Sequence, residues 1–300
     1  MKKEELKQGK YSVLNADALG LSMKNYYYRG KGKDSIGFKI DVSNDVSRFF
    51  INTFKLPNEE SFIRCFKQST GGDGGELAKN NALHSSSLCA LLMFYNINED
   101  NKFSIDINGI KHEYDTVYFE IKNKVIKNPS NMDVVLVNSK RKEILFIECK
   151  FSEYLSKSKH KLGEGYLNNP KYKEIFDEIE YDNMTVFQYG IKQLVAHYIG
   201  INNFIKGYSS KEIKAFYHDG DFDRSKVYQK YEHVAFLEIV FKLPEEEFNT
   251  YLEETEKTFN VLKNKTDDIC IVGTKTYQEV FVGDNLKILP ELVKEFYMIK

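Results

Sequence analysis

Asp133 heads the apolar run Val134-Val135-Leu136-Val137, and Glu148-Cys149-Lys150 closes a second one, Ile144-Leu145-Phe146-Ile147. If both runs are strands joined through the polar connector Asn138-Ser139-Lys140-Arg141-Lys142-Glu143, the start of one lies beside the end of the other. Two carboxylates and an ammonium then meet at one place. Such oxygen donors suit Mg²⁺, a hard cation held by one or two carboxylates together with waters and phosphate oxygens, with Mn²⁺ as a plausible substitute. The chemistry this permits is phosphodiester hydrolysis, with Asp133 and Glu148 as metal ligands. Side chains alternate along a strand, so Glu148 and Lys150 share a face while Cys149 turns away. Its thiol is then buried and inert, and its carbonyl stays near the metal. Lys150 can orient the attacking water or offset charge developing on phosphorus.

A lone Glu-x-Lys triplet says little in a chain with 43 basic and 44 acidic residues, where an edge strand carrying solvated charges is the ordinary reading. Here the triplet ends four bulky apolar residues, and an acid heads the neighbouring run. Charges at buried strands need a partner such as a metal or a lysine.

The elements that must position these groups are strands near 103–107, 112–121, 133–138 and 144–150, and a helix from Glu76 to Phe94. The run Gly71-Gly72-Asp73-Gly74-Gly75 turns into that helix and lacks the Gly-Lys-Ser/Thr of a Walker loop. At helical spacing Glu76, Asn80, His84 and Ser87 form a polar stripe suited to an active-site wall, while Leu88 to Phe94 is apolar nearly all round. Glu76 is equally accounted for as a first-turn acid, and His84 as a hydrogen-bonded structural histidine. In the strand 112–121, Glu120 alternates away from Val117, Phe119 and Ile121, as a surface residue or a supporting acid; Glu153 carries the same ambiguity. A helix over 184–199 has Ile191, Leu194, Val195, Tyr198 and Ile199 on one side and Gln193 and His197 on the other. Further helices are expected near 43–54, 58–68 and 244–263, and strands near 211–217, 231–242 and 269–273.

The segments Asn131-Met132-Asp133-Val134-Val135-Leu136 and Phe146-Ile147-Glu148-Cys149-Lys150-Phe151-Ser152-Glu153-Tyr154-Leu155 resemble the core of the PD-(D/E)XK nuclease superfamily. More narrowly, the chain resembles a family of bacterial restriction endonucleases. Gly74-Gly75-Glu76-Leu77, Leu83-His84-Ser85-Ser86-Ser87 and Phe119-Glu120 match its pattern in order, with a fainter echo at Thr276 to Phe281. The resemblance covers about residues 71 to 200. It implies an α/β fold: a restriction-endonuclease-like mixed β-sheet core flanked by helices, with N- and C-terminal elaborations. It also implies that Asp133, Glu148 and Lys150 are catalytic, that Glu76 is an added helix-borne acid assisting the metal, and that Gln193 is brought towards the site. The lysine-rich 123–129 segment departs from the Gly- and Pro-rich loop of relatives. DNA is the implied partner. A homodimer that cuts both strands follows by analogy, and a cognate methyltransferase is not readable from this chain.

At 300 residues the chain fits one nuclease domain, with 1–70 as an N-terminal elaboration, 71–200 as the catalytic core and 201–300 extending the sheet. Cys65, Cys89, Cys149 and Cys270 are widely spaced, so neither structural zinc nor a disulfide framework is indicated, and a reducing cytoplasm is the natural location. No apolar run approaches the ~18 residues of a membrane span, and no secretory leader is expected. The net charge of −1 argues against tight non-specific nucleic-acid binding. Basic residues cluster locally, however, and Lys140, Arg141, Lys157, Lys159 and Lys161 are candidate phosphate contacts. The alternatives are a catalytically silent nucleic-acid- or protein-binding module on a nuclease scaffold, and a nuclease acting on RNA or branched DNA. A serine hydrolase built on Ser85-Ser86-Ser87 lacks the Gly-x-Ser-x-Gly elbow.

Overall fold

The apolar runs around Val134 and Ile144 form the middle of a five-stranded sheet in the computed structural model. It describes residues 46–70, 85–126, 128–151, 153–155, 159–185, 187–207, 214, 217, 223–242, 246–297 and 299–300. The glycine run 71–75, Glu76, Asn80, His84, Lys157 and most of the expected strand 211–217 lie outside the described residues.

Helices α1 (Val46–Phe54), α2 (Glu59–Thr70) and α3 (Ser86–Phe94) precede a small antiparallel hairpin of β1 (Phe103–Ile107) and β2 (Ile110–Tyr114). Its turn residues Asn108 and Gly109 both have positive φ, 55° and 80°, the backbone an Asn-Gly pair supplies most readily. The large sheet runs in the order β3 (Thr116–Lys124), β4 (Pro129–Asn138), β5 (Glu143–Lys150), β6 (His233–Val240), β7 (Cys270–Thr276). The first three strands form an antiparallel meander, and β6 and β7 add in parallel, so the sheet is mixed.

Parallel neighbours require crossovers. The β5-to-β6 crossover contains α4 (Glu164–Leu167), α5 (Pro170–Glu178) and α6 (Gln188–Ile205), and the β6-to-β7 crossover is α7 (Glu246–Lys263). Helix α6 packs on β3 and β4, α7 packs on β7, and the two touch each other, so they share one face. Helix α3, buried along Leu88 to Phe94, lies against β4 and β5 on the other face, with α2 beside it over β3. Short helices α8 (Tyr277–Val280), α9 (Gly283–Ile288) and α10 (Glu291–Tyr297) end the chain. This is the α/β arrangement of a mixed sheet flanked by helices that the resemblance implied. Close seating of α6 depends on Gly200, where a Cβ would come within 2.7 Å of Ser130 Oγ and 3.0 Å of Asn123 Cβ.

Two local expectations are corrected. Of the helix expected from Glu76 to Phe94, the described part begins at Ser86, after Ser85, whose backbone is extended and whose hydroxyl accepts the Leu88 N–H as an N-cap. Serine competes for backbone hydrogen bonds and favours caps over helix interiors, so Ser87 belongs to the first turn of a helix capped at Ser85. The strand expected over 112–121 is two strands in two different sheets, parted at Asp115.

Strand β3 is a sheet edge, and its outward backbone groups at Phe119 and Lys122 are occupied. Arg224, about 1 % exposed, donates Nε to Phe119 O (3.0 Å) and Nη2 to Gln68 O (2.5 Å), while Gln68 Oε1 accepts the Phe119 N–H. Tyr217 Oη accepts the Lys122 N–H, and Tyr228 donates to Lys122 O. Phe119 and Lys122 differ in strand parity, yet both face outward; the left-handed Glu120 between them, φ 52°, supplies the extra rotation.

Candidate active site

The register lays one polar residue per strand in a row across the sheet. Phe119 pairs with Val134 and Ile121 with Met132, which sets Glu120 of β3 facing Asp133 of β4. Val134 pairs with Ile147, which sets Asp133 beside Glu148 of β5. Glu148 is the parallel partner of Glu238, and Glu238 that of Thr274. Lys150, two residues beyond Glu148, projects from the same face.

Backbone pairing between β4 and β5 stops at Val134 and Ile147, at the position where the two acids begin. The Cys149 N–H, left without a backbone acceptor on β4, donates to Asp133 Oδ2 at 2.8 Å. The N–H and C=O of one strand residue point the same way, so the Cys149 carbonyl opens into the same gap. Consistently, the Lys150 carbonyl points the other way and accepts the Phe241 N–H at 2.8 Å.

Lys150 Nζ donates to Glu148 Oε1 and, at 3.1 Å, to Gln193 Oε1 on α6. One helical turn further along, His197 Nε2 lies 2.7 Å from Glu148 Oε2, oriented off the line of a good hydrogen bond. Its Nδ1 has no hydrogen-bond partner among the described residues. Glu148, Lys150 and His197 are 1 %, 5 % and 2 % exposed. On the far side, Glu238 accepts hydrogen bonds from Tyr251 Oη (2.6 Å) and Thr274 Oγ1 (3.0 Å).

Charge follows from this packing. Burial alone would raise the Glu148 carboxyl, but Lys150 first and His197 next hold it down to about 2. Burial opposes the Lys150 charge, yet Glu148 and Asp133 hold its pKa above the ordinary lysine value. Asp133 keeps a small exposed fraction, but most of its surroundings are protein; burial and then the Glu148 charge raise it well above the carboxylate range. Burial pushes Glu238 up to about 7. The site therefore contains one strong internal ion pair and two carboxyls short of positive charge.

Among the sequence candidates, Asp133, Glu148, Lys150 and Gln193 come together. Glu153 stands near enough to raise the Lys150 pKa, and its Oε2 accepts the Phe151 N–H at 2.7 Å. Glu120 is buried, not on the surface, and its charge adds to the upward push on Asp133. The Cys149 thiol is buried on the opposite face near Cys89, its pKa raised by burial and then by Asp133. Ser87 is half-buried in the first turn of α3. Lys140 and Arg141 occupy the β4–β5 turn, five residues up the strands and roughly 17 Å from the acids, so they do not line this site. Lys159 and Lys161 are exposed just beyond the end of β5. Sequence reasoning missed Glu238, although an acid inside the apolar run Val234 to Phe241 is the same signal that marked Glu148, and it gave His197 no role.

Among the described residues no three His, Cys, Asp or Glu side chains stand grouped as a ready metal site. The donors available to a hard cation are the Asp133 and Glu148 carboxylates and the Cys149 carbonyl.

Over residues 29–262 the chain matches a family described as Restriction Endonuclease associating with ARP. No curated protein and no solved structure gives a significant match. No described helix is long and apolar enough to cross a membrane.

Proposed function

The chain belongs to that restriction endonuclease family, and on this premise we propose that it is a Mg²⁺-dependent endonuclease cutting phosphodiester bonds in DNA, in a restriction or other defence role. The observation that carries the reading is the convergence of Asp133, Glu148 and Lys150 on one sheet face, at the point where β4 and β5 part.

The donor set fits Mg²⁺. It is all oxygen, and two protein carboxylates with a carbonyl leave positions for waters and phosphate oxygens, the arrangement Mg²⁺ prefers. The raised Asp133 carboxyl supports the same reading, since a cation beside it would restore the charged form. Asp133, Glu148 and the Cys149 carbonyl would hold the ion, with Glu76 as an added acid. Bound there, Mg²⁺ supplies Lewis-acid polarisation of a phosphoryl oxygen and acidifies a water.

The chain's own residues do the positioning. Lys150 remains an ammonium, so it acts by charge and hydrogen-bond donation and not as a base; its targets are the attacking water and the charge growing on phosphorus. Gln193 fixes the Lys150 amine from the helix side, and the Cys149 N–H fixes Asp133. One row of acids per chain cuts one strand at a time, so double-strand cleavage calls for two copies of the chain.

Purified protein incubated with plasmid and Mg²⁺ tests the proposal. Nicking or linearisation that disappears in Asp133→Ala and in Lys150→Ala, with both variants folded, supports it. Equal activity in the variants would reveal a contaminant. Calorimetric titration of Mg²⁺ separates a silent scaffold, which shows no binding that Asp133→Ala removes.

A further inference from the structure

Helix α6 carries a ladder of side chains at four-residue spacing: Tyr189, Gln193, His197. Residues so spaced share one helix face. Gln193 touches Lys150 and His197 approaches Glu148, so this face is turned to the acids. Tyr189 is the outermost rung, one turn or about 6 Å beyond Gln193. Unlike the other two it is exposed, 41 % of its surface facing solvent.

The surroundings of this ring are built. The His160 ring meets Tyr189 edge to face at 5.0 Å, and Phe187 supports it at 6.0 Å. Lys192 Nζ lies 5.6 Å from the Tyr189 ring centre, 5.9 Å from that of Tyr166 and 3.0 Å from His160 Nε2. Burial and the Lys192 charge both lower the His160 pKa, which leaves a neutral ring nitrogen to accept the lysine proton. The segment is anchored from beneath: the His160 N–H donates to Gln188 Oε1 at 2.8 Å and its carbonyl accepts Tyr181 Oη at 2.8 Å. Gln188 in turn donates to the Tyr181 and Met184 carbonyls. Lys159 and Lys161, the sequence neighbours of His160, are exposed.

An exposed aromatic packed by neighbouring rings beside an ammonium group is the combination that takes a nucleobase on its π-face and an adjoining phosphate on its cation. We infer that Tyr189 is a stacking platform for an unpaired base next to the scissile phosphate, with Lys192 contacting the neighbouring phosphate. A base can occupy such a platform only after leaving its own stack, so the site engages single-stranded or locally opened nucleic acid in preference to intact duplex. The inference rests on the nuclease reading for the position of the scissile phosphate.

The test is binding without cleavage, in EDTA, of a fluorescein-labelled single-stranded oligonucleotide and its duplex, followed by anisotropy. A parallel strand carries 2-aminopurine to report stacking. Wild type and Tyr189→Phe should bind the single strand alike and quench 2-aminopurine, whereas Tyr189→Ala should bind about ten-fold more weakly and leave it bright. Tyr189→Leu fills the volume without a π-face and should behave as alanine does, which keeps the test valid if the alanine variant folds poorly. Lys192→Gln should lower affinity and flatten its salt dependence. Equal binding and quenching by Tyr189→Leu and Tyr189→Phe would overturn the platform, as would a preference for duplex. That failure is distinct from failure of the nuclease reading, which appears as absent plasmid cleavage and absent Asp133-dependent Mg²⁺ binding.

Discussion

Glu148 and Glu238 are direct partners on adjacent parallel strands, so two wholly buried carboxylates leave the sheet side by side. They are compensated differently. Glu148 has Lys150 and His197, whereas Glu238 accepts hydrogen bonds from the neutral hydroxyls of Tyr251 and Thr274. Neutral donors offset burial less than a charge does, so one carboxyl is held low and the other rises to about 7.

That asymmetry predicts a pH dependence. The folded protein keeps a proton on Glu238 that the unfolded chain, near the ordinary value of about 4.3, releases. Stability from this group is therefore greatest below about pH 4, falls as pH rises towards 7, and is flat above. Glu238→Gln imitates the protonated form. It should be more stable than wild type at pH 8 by on the order of 2 kcal/mol and nearly equal at pH 4. Urea unfolding at both pH values checks this; a constant offset would refute the assignment.

The Lys150–Glu148 pair predicts a non-additive pair of substitutions. Lys150→Met strands a buried carboxylate and should cost about 3 kcal/mol. Adding Glu148→Gln removes the stranded charge, so the double variant should recover most of that stability while remaining unable to cleave. Denaturant midpoints and plasmid assays on the four proteins separate the structural role of the pair from its chemical one.

His197 reaches Glu148 at 2.7 Å from a fully buried position, which makes it an orienting group for the carboxylate. His197→Asn should weaken Mg²⁺ binding about ten-fold or more, the usual cost of losing a partner behind a ligand. Calorimetric Mg²⁺ affinity unchanged in a folded His197→Asn would show that the histidine only fills space.

The central hairpin was readable because its acids stand at the ends of strongly apolar runs, where burial and charge conflict in a short stretch of sequence. Glu238 shows the same conflict, but no lysine follows two residues on, and its neighbour Glu148 is apparent only once the parallel register is known. The placement of α6 was less legible for another reason. Apolar periodicity identifies the buried side of a helix that has one, and α6 packs both on the sheet and against α7 beside it, so Ile191, Leu194 and His197 are all buried. Alternation through Asp115 likewise gives no sign that β2 and β3 pair with different partners.

The edge of the sheet supplies the last prediction. Arg224 is buried against β3, and its guanidinium satisfies the carbonyls of Phe119 and Gln68 while lying 5.0 Å from the Tyr217 ring centre. Arg224→Leu keeps the bulk but leaves both carbonyls without their donor, at about 1–3 kcal/mol each. It also uncovers part of an edge strand two positions from Ile121 and next to Glu120, which faces Asp133. The variant should therefore lose about 3 kcal/mol in stability, form concentration-dependent aggregates on mild heating, and cleave plasmid more slowly even where it stays folded. Thermal melts with light scattering read the first two effects. A variant as stable and as monodisperse as wild type would mean that solvent replaces the guanidinium, and that the edge needs no cover.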